Sequence, residues 1–259
     1  MASVAPTVPA ESDLLCERCG YTLNGLPESG NCPECGTPVG QTLSSGRRPP
    51  AWERRPSAAS LVSTAADVTF RPTRFFRTLA TRSDGRLALW FARAFWAASA
   101  ALFSVTAHVH MLTIFGQPAG TRTVAQAFAH LSTDDAVSFL LSPPVGAVLL
   151  AAVTYAALSV TTRVAARLTH YEATRYHGLR LPLAVVLRGM HYHAAHYLPV
   201  AVVALVTVCA YRYLVTRDAN ALQYATRYLW ALAAEVVVAA GYLFHTYWIG
   251  MRNMMYANR

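Results

Sequence analysis

The chain changes character near residue 86. Before it, polar, Pro/Ser/Arg-rich and cysteine-bearing stretches dominate; after it, long apolar runs follow one another. A bilayer-spanning helix needs about 20 residues with few charges, and four stretches meet that condition: 89–115, 144–162, 197–215 and 228–250. The pattern therefore predicts an all-α polytopic membrane protein of four helices. The half-apolar segment 179–196 (LRLPLAVVLRGMHYHAAH) is a candidate fifth span. Ahead of the membrane domain (67–259) the pattern predicts a disordered tail over 1–12, a small cysteine-bearing module over 13–38 and a flexible linker over 39–66. Residues 70–82 (FRPTRFFRTLATR) place Phe75, Phe76 and Leu79 on one stripe with arginines around it, as expected of a helix lying on a membrane surface.

Composition sharpens this picture. Hydrophobic residues make up 54% and charged residues 14% of the chain, against about 25% charged in soluble proteins. All 22 basic residues are arginine, and they alternate along the chain. Six lie between residues 71 and 93, one (Arg122) in the first loop, five in the second, two in the third and two in the tail. The excess of positive charge on cytoplasmic loops then puts both termini and the second loop in the cytoplasm of an inner (plasma) membrane, with lipids as the first partners.

Residues 16–36 read CERCGYTLNGLPESGNCPECG, two Cys-x-x-Cys-Gly units. Each tight turn aims both of its sulfurs the same way, and the glycine after it accommodates positive φ. Cys16, Cys19, Cys32 and Cys35 are the expected ligands of one structural zinc ion. Iron fits a four-thiolate set as well, and two disulfides are the alternative in an oxidising compartment. A closed four-sulfur shell leaves no position for water or substrate, so this module holds shape and carries no chemistry. Its metal invites a nucleic-acid reading, but Glu11, Asp13, Glu17, Glu28 and Glu34 against Arg18 alone make an acidic surface that repels phosphates. A basic protein partner suits it better.

Within the apolar half, Glu235 lies about 10 Å into the fourth span at 1.5 Å per residue. A carboxylate facing lipid costs about 2.5–3.5 kcal/mol on insertion scales, so it is expected to face the bundle. Arg212 near the end of the third span is its expected partner, with His108 or His110 joining; the alternative is a proton or ion path through Glu235. The run HYHAAH offers His191, His193 and His196. On a helix His193 and His196 lie about 60° apart and His191 about 140° from His196, so at most two share a face, and interfacial histidines are expected rather than a metal site. Cys209 reads as a small buried apolar residue. Neither a nucleophile beside a base nor a phosphate loop is legible, and no enzyme class can be named.

The cysteine pair resembles the N-terminal ribbons of bacterial polytopic membrane proteins. The portion from Phe70 onward, with RPTRFFRTL before the first span and GLRLPLAVVLRGMHYHAAHYLPV leading through Tyr197 and Pro199 into a later one, resembles the Yip-domain membrane family. That resemblance implies five spans and a membrane adaptor or organiser without catalytic residues. The expected function is thus a non-catalytic binding and organising protein whose cytoplasmic zinc ribbon engages another protein; the alternative is a transporter or ion-conducting protein using Glu235.

Overall fold

The computed structural model describes residues 15–43, 47–80, 85–115, 143–176, 182–217 and 221–254. The tail 1–12 and the first loop expected over 116–142 lie outside them. The described residues are mostly helical; isolated bridges join Leu15 to Thr22 and Asn31 to Pro38 in the cysteine module and Arg48 to Leu79 beyond it. In chain order the helices are α1 (Val39–Leu43), α2 (Ala51–Arg54), α3 (Ala58–Phe70), α4 (Pro72–Thr78), α5 (Gly85–Phe115), α6 (Pro143–Arg175), α7 (Leu183–His193), α8 (Tyr197–Arg217) and α9 (Ala221–Met254).

Four helical stretches are long and apolar enough to cross a membrane: Gly85–Thr113, Val145–Arg175, Leu183–Arg217 and Tyr224–Met254. This is a membrane protein of four such helices among the described residues. The candidate fifth span is not a separate one, because α7 runs into α8 through the 3-10 turn Ala194–His196. Pro199 explains that turn. It has no N–H to give the carbonyl of Ala195, so the i→i−4 ladder cannot pass there without tightening. The second span also continues past its expected end at 162, with Arg163, Arg167 and Arg175 on its last turns.

The chain divides into two compact units. The first comprises Met1–Ala92, Thr162–His193 and His245–Arg259. Val68, Phe76, Leu79, Phe91, Val186, Tyr192 and Met254 are buried in it. Tyr192 is its aromatic hub, with ring centroids 5.2 Å from Phe75 and 4.9 Å from Phe91. Phe76 packs against Gly250, where an added Cβ would stand 3.3 Å from the ring. Phe75 and Phe76 are therefore core residues, and the expected lipid-facing stripe over 70–82 is corrected: α4 turns its phenylalanines inward and leaves Arg74 and Arg77 exposed.

The described parts of the expected linker, 39–43 and 47–66, include helices α1, α2 and most of α3 and are tied into the first unit. Arg48 and Leu79 form a parallel bridge, with Arg48 N–H donating to Thr78 O at 2.8 Å. Trp52 fixes the single turn of α2, its indole Nε1–H donating to Leu87 O at 2.8 Å and its backbone N–H to Thr64 Oγ1 at 3.1 Å. Helix α3 starts at a reciprocal capping box, Ser57 with Ser60, which satisfies N-terminal donors the helix cannot use itself.

The second unit comprises Arg93–Thr161 and Ala194–Phe244. Its helices meet through small and polar residues, as expected where lipid offers no hydrophobic drive between helices. Ser99, Ala100 and Ser104 of α5 are buried, and Ser104 Oγ donates to Ala147 O at 2.6 Å. Trp96 sets its ring edge-on to Tyr155 at 6.0 Å.

Candidate metal centre

The two Cys-x-x-Cys-Gly turns are built alike. Gly20 N–H donates to Cys16 O and Gly36 N–H to Cys32 O, closing each turn; Cys16 N–H donates to Tyr21 O and Cys32 N–H to Thr37 O, closing each base. Gly20 and Gly36 have φ of 81° and 70°, a region where a side chain is strained. The likeness extends to the packing. Leu23 and Val39, which follow the two turns at equal distance, are both fully buried and form a small core with Cys16 and Cys32. The module is thus a pseudo-repeat whose second half begins α1, and the matched pair Leu23 and Val39 was a sequence signal for it.

The four sulfurs lie within 4.8 Å of one another, with Cys16 and Cys35 at 3.6 Å and Cys19 and Cys32 at 3.6 Å. A tetrahedral ion with 2.3 Å metal–sulfur bonds needs edges of about 3.8 Å. The cluster can hold a metal ion with little movement. Desolvation raises the Cys16 thiol and raises Cys19 to about 12. Cys35 is lowered to about 6, because the Thr37 hydroxyl at 3.2 Å and the Thr37 backbone stabilise its thiolate. The lowered Cys35 thiol favours its thiolate, the form that binds a metal, whereas the raised Cys16 and Cys19 thiols must release protons as an ion enters.

Arg47 secures this centre. Its Nε–H donates to Glu17 Oε1 at 2.8 Å, inside the first Cys-x-x-Cys, while Nη1 donates to Phe76 O and Leu79 O, each at 3.2 Å, and Nη2 to Asn253 O at 3.1 Å. The carbonyls belong to the ends of α4 and α9, which have no intrahelical donors. A second buried pair lies in the same unit. Arg188 Nη2 donates to Glu53 Oε2 at 2.7 Å with side chains 2% and 4% exposed, and Tyr192 Oη donates to the other carboxylate oxygen.

The remaining predicted residues fall out differently. Among the described residues the cysteines are the group of potential ligands that converges; the histidines of HYHAAH do not. These are buried rather than interfacial: His193 Nε2 lies 3.1 Å from Thr246 Oγ1, and His196 stands against Tyr242. Tyr192, between His191 and His193 in sequence, donates to Glu53. In the second unit, no ion pair joins Glu235 to Arg212 among the described residues, and Glu235 Oε2 is buried without a hydrogen-bond partner. Instead His110 hydrogen-bonds Tyr228, whose ring stacks on Tyr211 at 3.8 Å. His108 is half-buried on α5. Cys209, expected to be buried, is exposed on α8. The residues sequence reasoning missed are Arg47, Glu53, Arg188 and Tyr192.

No protein family, curated protein or solved structure matches the chain.

Proposed function

We propose that this is a non-catalytic binding and organising protein of a bacterial inner membrane, with both termini in the cytoplasm and one zinc ion in the ribbon. Four thiolates at tetrahedral spacing suit zinc, a reducing compartment keeps them free, and the alternation of arginines supports the orientation. The observation that carries the reading is Arg47: it ties the first cysteine turn to the ends of two helices, so the ribbon is a fixed platform at the membrane rather than a module on a tether. Such a platform presents an acidic surface to a basic protein partner, in the manner of the adaptors that the Yip-domain resemblance implies. The test is affinity purification in mild detergent of the full chain and of Cys16→Ser/Cys32→Ser. A cytoplasmic protein held by the first and lost from the second is the expected result; identical sets overturn the proposal.

A second reading has its own observation, the partnerless buried oxygen of Glu235. An ion-conducting or transport role predicts that Glu235→Gln abolishes a proton- or cation-dependent flux in vesicles while folding is kept. Flux unchanged by that substitution removes this reading.

A further inference from the structure

Helix α3 is apolar on two opposite faces. Thr64 and Val68 face inward and are buried. On the other side Ala59, Val62, Ala66 and Phe70 are exposed, Val62 to 67% and Phe70 to 81%. At 100° per residue these four positions fall in a sector of about 80°, an unbroken stripe that nothing in its unit covers. Exposed arginines frame it: Arg54 and Arg55 before the helix, Arg71, Arg74 and Arg77 after it. Asp67, on the flank of the stripe, is the acidic residue among them. Trp52 meanwhile ties α2 to Leu87, in the first turn of the membrane-crossing helix α5.

We propose that α3 lies in the headgroup layer of an anionic leaflet, with Ala59, Val62, Ala66 and Phe70 in the acyl boundary and the five arginines on lipid phosphates. An apolar stripe with flanking cations is what such a surface binds. The charge complementarity selects lipid over a second copy of this chain, which would bring like charges together. The lipid-facing role expected of α4 passes to α3, because Phe75 and Phe76 are spent on the core while Val62 and Phe70 are not.

Nitroxides attached to a genetically encoded ketone residue leave the cysteines untouched. They are placed in the full chain at position 62 or 70, at Val236 as a lipid-facing control and at Glu34 as an aqueous one, in nanodiscs with or without anionic lipid. In anionic discs, labels at 62 and 70 are expected to be several-fold more accessible to oxygen than to a nickel chelate, as at 236. The preference should fall in zwitterionic discs and in Arg71→Gln/Arg74→Gln/Arg77→Gln. Labels at 62 and 70 as nickel-accessible as at 34 overturn the proposal while an oxygen-favoured 236 leaves the membrane assignment standing. Shielding from both reagents means that protein covers the stripe, which also overturns it, and equal insertion in both disc types overturns it as well, because the proposal places the arginines on an anionic leaflet.

Discussion

The guanidinium of Arg47 reaches Glu17 with one nitrogen, 2.8 Å from Oε1, and gives three of its other N–H groups to backbone carbonyls. The two ends of this contact are unequal. Arg47→Met leaves the carbonyls of Phe76, Leu79 and Asn253 without their donor, and each buried orphan costs about 1–3 kcal/mol. Glu17→Gln keeps an acceptor oxygen and should cost no more than about 1 kcal/mol. Hydrogen exchange in nanodiscs is expected to show faster exchange at the ends of α4 and α9 in the arginine variant alone.

The ribbon should take up metal with a pH midpoint set partly by Thr37. Cys35 is held at about 6 with the Thr37 hydroxyl as the largest cause. A depressed thiol favours the folded turn above its ordinary pKa, and that contribution is lost as pH falls through about 6. Thr37→Val removes the hydroxyl, raises the Cys35 thiol toward its ordinary value and should move cobalt uptake, followed by thiolate charge-transfer absorbance, to higher pH. Cys16→Ser should lose the bound ion altogether. An unmoved midpoint in the valine variant discards the assigned role of Thr37.

For the pair Glu53 and Arg188, removal of one partner strands a charge at a site 2–4% exposed. Glu53→Ala is expected to destabilise by about 3–5 kcal/mol, and Glu53→Leu/Arg188→Met to recover much of the loss. Denaturation in mixed micelles measures both. Additive losses contradict the coupling.

Two glycines of α9 separate helix propensity from packing. Gly241 has open space where a Cβ would go, whereas at Gly250 the Cβ would meet the fully buried Phe76 ring at 3.3 Å. Alanine gains up to about 1 kcal/mol in a helix interior. Gly241→Ala should hold or raise stability, and Gly250→Ala should lower it by about 1–2 kcal/mol because the enclosed ring has nowhere to move. Equal thermal midpoints for both variants contradict this.

The four long apolar helices and the four-cysteine cluster were readable because each depends on neighbours in sequence: hydropathy over some 20 residues or two short turns. What escaped was long-range. Arg47 meets Asn253 and Glu53 meets Arg188 across most of the chain, and nothing local in RRPPAWERRP marks which arginine will be buried. Helix α3 escaped for another reason. Its Ala, Ser and Thr residues weaken the apolar rhythm, although Ser57 and Ser60 at capping-box spacing signalled its start. Glu235 and Arg212 show the converse error, since similar estimated depth in adjacent spans did not make them partners.

Because Arg47 reads main-chain oxygens at residues 76, 79 and 253, the docking of the ribbon makes no demand on which side chains stand at Leu79 and Asn253. Those positions are free, as far as the joint is concerned, to drift over evolutionary time. Selection for the joint acts instead on Arg47 and Glu17, so among descendants of this chain a change at one is expected to be accompanied by a change at the other.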